Sequence, residues 1–145
     1  MKFKSFICAV LFLLLSSAPI CATSTDIATV EKQISEYDAS NGNEYITIAN
    51  NVMQWFHEAK ITDEAMKFEA STPRDSVNQQ VWYWASEYFY AHQAYPQALK
   101  YGLLALPLCN NDEDRANYLS LISLIYFRQS NYEQAANYAK QCYKL

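Results

Sequence analysis

Glycine is nearly absent from this chain of 145 residues: Gly42 and Gly102 are the only two. A loop that cradles phosphate or a dinucleotide needs several glycines close together, because backbone amides must reach the ligand where a Cβ would stand. Both signatures are excluded. So few glycines, with only four prolines, also argue against a fold of many tight β-turns. A basic surplus is missing as well, since 11 Lys and Arg face 15 Asp and Glu. Nucleic-acid binding draws on cations that release phosphate counterions, so that role is disfavoured for this segment. Histidine occurs twice, and no Gly-x-Ser-x-Gly, His-Glu-x-x-His or Cys-x-x-Cys is found. What is present excludes disorder: 51% of residues are hydrophobic and 15% aromatic. A helical protein of one domain's length remains.

The amino terminus reads as a secretory signal peptide over residues 1–22. Lys2 and Lys4 form a positive start, Phe6 to Leu15 is an unbroken apolar run, and Ser16-Ser17-Ala18-Pro19 breaks it. The run would cross about half of a bilayer's hydrocarbon core, too short for a permanent span. Cleavage after Ala22 places a small residue before the scissile bond. Cys21 also admits lipid attachment, but a lipoprotein signal wants a small residue just before that cysteine, and Ile20 is large and branched. Export to the periplasm, or to a membrane-associated extracytoplasmic position, is the expectation. Membrane contact would come only through the signal peptide or through a span beyond residue 145. Cleavage would remove two cations, making the chain more acidic, and would leave Cys109 and Cys142. These two read as small buried hydrophobes, with one disulfide as the alternative.

Apolar periodicity predicts a helix over 26–39, carrying Ile27, Val30, Ile34 and Tyr37, with Ser24 or Thr25 as cap and Asn41-Gly42-Asn43 as stop. Further helices are predicted over 44–57, 63–70, 75–92, 96–106, 114–129 and 132–145. Pro73 ends the short third one. Pro96 suits a first turn, and Pro107 closes its helix. Asn110 to Asp114 is a polar, acidic loop that can cap the next helix.

Laying Trp82–Leu106 over Leu119–Tyr143 gives a repeat. Ser86 falls on Ser123, Phe89 on Tyr126, Gln93 on Ser130, Tyr95 on Tyr132, Gln97 on Gln134 and Ala98 on Ala135, each 37 residues on. The serines sit where two helices of a pair cross, and the alanines are their small partners. Phe89 and Tyr126 fill the space beside the crossing, and Tyr95 and Tyr132 cover the turn. Trp82 and Ala105 extend the pattern. This small–aromatic–aromatic–small order resembles the tetratricopeptide repeat, a helix–turn–helix unit. The loop after Pro107 is longer than that family's usual one. A weaker copy over 44–72 pairs Phe56 with Phe89 and Ala65 with Ala98, but places the large Met53 where Ser86 stands. The fold class expected is therefore all-α: an antiparallel helix-pair solenoid after a signal peptide. A capping helix lies within 23–43, a degenerate repeat over 44–72, and repeats over 79–110 and 116–145.

The residues offer no nucleophile–base pair, so the chain reads as non-catalytic, with no cofactor and no metal site. His57 and His92 stand near helix ends without ligand partners at metal spacing, and a helix-end histidine can simply meet the last carbonyls. Asp112-Glu113-Asp114 reads as helix capping, since calcium would need more oxygens in a fixed loop. The resemblance implies action by surface, with the first helix of each pair lining a concave side. That face would carry Tyr83, Trp84, Glu87 and Tyr90, then Asn117, Ser120, Leu121, Leu124 and Arg128. Tyr83 is the first-choice anchor, and Trp84 the better candidate for packing between repeats. Relatives that hold a peptide's terminal carboxylate use Lys, Arg and Asn here. Glu87 and the aromatics depart from that, so an apolar or mixed peptide fits better. The expected partner is a protein or peptide. The chain also resembles the amino-terminal part of exported tetratricopeptide sensors and regulators of Bacteroidetes-type bacteria, which implies an interaction module at the sensory end of a signalling protein. The alternative is a periplasmic or lipid-anchored helper that presents peptides or glycans to an enzyme.

Overall fold

Amphipathic periodicity without strand-forming alternation gives helices and, among the described residues, nothing but helices and turns. The computed structural model describes residues 24–40 and 44–145. The signal peptide, the lipidation alternative at Cys21, the stop at Asn41–Asn43 and the side chains of the expected caps Ser24 and Thr25 lie outside what it describes. Six α-helices follow in order: α1 Ser24–Ala39, α2 Glu44–Glu58, α3 Arg74–Ala91, α4 Tyr95–Ala105, α5 Asp112–Arg128 and α6 Tyr132–Tyr143. Consecutive helices pack on one another, with α3–α4 and α5–α6 as the two most extensive pairs. No described helix is long and apolar enough to cross a membrane.

The turns repeat more faithfully than the sequence suggested. After α3 the amide of Gln93 reaches the Tyr90 carbonyl and that of Ala94 reaches Phe89, at 3.0 and 2.8 Å. After α5 the amides of Ser130 and Asn131 reach Phe127 and Tyr126 in the same way, and after α2 those of Lys60 and Ile61 reach His57 and Phe56. This is the Schellman arrangement, which needs a residue with positive φ just past the helix. Lys60, Gln93 and Ser130 fill it with φ of 58°, 61° and 60°. A chain so poor in glycine stops three helices with residues that carry a Cβ.

The two complete pairs share their crossings. Ser86 Oγ donates to the Ala98 carbonyl and Ser123 Oγ to the Ala135 carbonyl, both at 2.7 Å. Phe89 stacks on Tyr101, and Tyr126 on Tyr138, each with ring centroids 5.5 Å apart. Gly102 sits against the next pair: a Cβ there would lie 3.1 Å from Ile122 Cγ1 and 3.0 Å from Ser86 Oγ. Burial of Val77, Val81, Ala85, Phe89, Ala98 and Ala105 completes the core of the α3–α4 pair.

One expectation fails. The helix expected over 63–70 does not form. Asn50 takes both backbone groups of Phe68, accepting from its N–H at 2.6 Å and donating to its carbonyl at 3.0 Å. The Thr62 and Thr72 hydroxyls accept from the amides of Glu64 and Glu69. Such side-chain bonds compete with a helical ladder. Ala65, paired in sequence with the crossing residue Ala98, is exposed, because no second helix is there to cross. Residues 44–72 thus keep one helix and its turn and lose the second helix. The α4 helix ends at Ala105, just ahead of Pro107. The chain runs through it as a 3₁₀ turn, Leu106–Leu108, whose first turn tolerates a residue without an N–H.

At the acidic loop the cap itself is Asn111, which accepts from the Asp114 amide at 2.8 Å. Asp112, Glu113 and Asp114 occupy the first turn of α5, where their charge meets the positive end of the helix dipole. Arg74 ties α1 to the rest. Its guanidinium donates to the Ser40 carbonyl at 2.8 Å and lies over the rings of Tyr37 and Tyr45. Cys109 and Cys142 are free thiols in different places, Cys109 buried beside the Ala105 carbonyl and Cys142 against Ser120.

Candidate functional site

The α3 face is built by heptad-like spacing. Tyr83, Glu87 and Tyr90 succeed one another at four and three residues, and Trp84 lies one position round the helix. Across from them, α5 supplies Tyr118. The Tyr83 and Tyr118 rings lie parallel, 4.3 Å apart between centroids. Tyr83 also meets Trp84 edge-on at 5.0 Å and donates its hydroxyl to Glu87 Oε1 at 3.0 Å. Tyr83, expected to reach into an open groove, therefore packs between repeats. The aromatic stack wins because it buries two wide rings where α3 and α5 meet.

The expected face divides. Tyr83, Trp84 and Glu87 form one half-buried cluster. Tyr90 is only 4% exposed, and its hydroxyl accepts from Arg128 Nε at 3.4 Å. Leu121, also 4% exposed, belongs to the core rather than to a surface. Asn117 and Ser120 are half-buried on α5, and Arg128 is exposed at its end. Leu124 turns to the other side of α5, into a groove shared with α6.

Burial governs the electrostatics of the cluster. It pushes the Glu87 carboxyl up from 4.5 to about 7, against the opposing effect of the Tyr83 hydrogen bond. Glu87 Oε2 and Trp84 Nε1 are buried without a protein hydrogen-bond partner. The Tyr83 hydroxyl is pushed well above its ordinary range by burial first and by Glu87 second.

His57 Nδ1 lies 3.3 Å from the Thr62 carbonyl and His92 Nδ1 lies 2.8 Å from the Tyr88 carbonyl, so each ring engages backbone at a helix end. Among the described residues no three His, Cys, Asp or Glu side chains converge as a metal-binding group. Grooves open at two places among the described residues. One, of about 450 Å³, is lined by Asn50, Gln54, His57 and the irregular 65–67 stretch. The other, of about 360 Å³, runs between α5 and α6. The sequence reading missed Tyr118 and the second groove. The 37-residue offset carried a signal for that groove, because it maps Gly102 onto Ala139.

Scanned against protein-family models, curated proteins and solved structures, the chain gives no match.

Proposed function

We propose that this chain is a non-catalytic helix-pair module of the tetratricopeptide type that binds a protein or peptide outside the cytoplasm, as the sensory end of a signalling protein. The observation that carries the reading is the shared crossing: the Ser86–Ala98 and Ser123–Ala135 hydrogen bonds have the same length, with stacked ring pairs beside them. Chains built of stacked pairs act through extended surfaces. Trp84 and Glu87, half-buried on α3, and Asn117 and Arg128 on α5 supply the mixed apolar and polar side chains proposed to meet such a partner. Export is supported by the Lys2/Lys4 start and the apolar run after it.

The test has two arms. Mass spectrometry of the protein from its own cell envelope should show an amino terminus near Thr23. A partner captured there should bind purified protein, and Glu87→Lys and Arg128→Glu should weaken it at least tenfold, with Lys100→Ala on the outer face as the unaffected control. Loss of binding in the control alone, with every variant folded by circular dichroism, moves the site to the outer face.

A further inference from the structure

An extended stretch lies beside α2 with no strand to pair with. Along Ala65, Met66, Lys67, Phe68 and Glu69 burial alternates: Met66 and Phe68 pack against the core, and the other three are exposed. A period of two is the mark of extended backbone. The Asn50 side chain fixes it at Phe68, where one primary amide takes both the N–H, at 2.6 Å, and the carbonyl, at 3.0 Å. Both groups of one residue turn to the same side in extended backbone, as in a hydrogen-bonded strand pair. The stretch runs antiparallel to α2, since His57, later on the helix, meets the carbonyl of the earlier Thr62 at 3.3 Å. Two extended residues advance about 6.6 Å and four helical residues about 6 Å. Met66 therefore stands opposite Gln54 as Phe68 stands opposite Asn50, with its N–H and carbonyl turned the same way. Gln54 does not take them. Its amide donates to Glu58 Oε1 at 3.0 Å, and no hydrogen bond joins the Met66 backbone to another described residue. The groove of about 450 Å³ opens between Gln54 and Met66.

We propose that this groove binds a primary carboxamide, the group of glutamine and asparagine side chains, on the N–H and carbonyl of Met66. Asn50 on Phe68 is the internal template for the contact. An N–H and a carbonyl on one side of a residue are matched by a carbonyl and an N–H on one side of an amide. A primary carboxamide has that pair. A peptide unit or an acetamido group is a trans secondary amide, with the two on opposite sides. A carboxylate has no donor. The α2 wall, with Asn51, Gln54 and His57, is polar, so it offers no seat to an apolar helix face. A volume of this size holds a small ligand or a few residues of a peptide. Glu58 and Lys67, of opposite charge on the rim, suit the ammonium and carboxylate of a free amino acid. The carboxamide thus has two possible sources, a free amino acid and a side chain of a peptide. The groove shares no lining residue with the α3–α5 face, and the two stand or fall separately.

The experiment follows the Met66 amide of the isotope-labelled protein by nuclear magnetic resonance. In the free protein it should exchange with solvent as an unpaired amide does, while that of Phe68 is protected. A protected Met66 amide there would mean that the chain fills the groove itself, and would overturn the proposal. Titration with N-acetyl-glutamine N-methylamide should shift the Met66 resonance saturably and slow its exchange at least tenfold. The glutamate analogue, and the analogue methylated on the side-chain nitrogen, should bind at least tenfold more weakly. Free L-glutamine separates the sources: tighter binding than the blocked residue assigns a free amino acid, and equal or weaker binding assigns a peptide side chain. Met66→Pro, which removes the N–H, and Gln54→Trp, which fills the groove from an exposed helix position, should each abolish binding, with folding checked by circular dichroism. Glu87→Lys on the other face should leave it unchanged. No saturable shift at Met66 with either carboxamide, or equal binding of all three blocked analogues, overturns the proposal.

Discussion

The Ser86 hydroxyl donates to the Ala98 carbonyl across 2.7 Å, from one helix of a pair to the other, and both residues are fully buried. Ser123 repeats the bond to Ala135 at a half-buried position. Equal geometry with unequal burial gives unequal cost. Ser86→Ala should lose ~1–2 kcal/mol, and Ser123→Ala should lose less, since water can reach its orphaned partner. Ala98→Leu should cost ~1–3 kcal/mol by overpacking, and Ala135→Leu less, because Ala135 borders the open groove. Urea melts of the four variants check the order. Equal losses at the two crossings would show that the groove is closed in solution.

The three positive-φ turns should respond to glycine. Lys60→Gly, Gln93→Gly and Ser130→Gly should each stabilise by ~0.5–1 kcal/mol, because a left-handed residue with a Cβ costs about 1 kcal/mol or more. Glu58→Gly, in the last helical turn of α2, should destabilise by about 1 kcal/mol instead. Thermal unfolding should show opposite signs two residues apart.

Glu87 should make the fold weaken as pH rises. Its folded value of about 7 lies above the 4.5 of an unfolded carboxyl, so the native state holds the extra proton between the two. Stability from this group is fully present below about pH 4.5 and is lost as pH climbs through 7. The loss should be roughly 2 kcal/mol, reduced from the full shift because the residue is partly exposed. Glu87→Gln should abolish the slope and be the more stable form at pH 8. Denaturant midpoints for both proteins from pH 4 to 8 measure the difference. A Glu87→Gln variant with the wild-type slope would place the titrating group elsewhere.

Arg74 should hold α1 in place. Its guanidinium satisfies the Ser40 carbonyl and lies 4.9 Å from the Tyr45 ring centroid. Arg74→Ala should cost ~2 kcal/mol, from a charged hydrogen bond and a cation–π contact together. Hydrogen exchange should rise in residues 27–40 while α5 and α6 keep their protection. Arg74→Lys should not rescue it fully, since an ammonium cannot lie flat on a ring as it donates.

What the sequence determined by itself is local. Apolar spacing, caps and the residues around Pro96 specified all six described helices to within about two positions, because helix formation depends on neighbours three and four residues away. The 37-residue offset marked the Ser86 and Ser123 crossings, since a crossing demands a small side chain whatever surrounds it. Tertiary structure decided the rest. The 63–70 stretch has helical composition, yet Asn50, from a helix eighteen residues earlier, claims the backbone of Phe68. Tyr83 and Leu121 carry the pattern of a concave face, but whether such a residue meets a partner or its own neighbour depends on the angle at which α5 lies on α3. That angle is set by Ile122 over Gly102 and Tyr118 on Tyr83, contacts between residues 20 and 35 positions apart that no local spacing encodes.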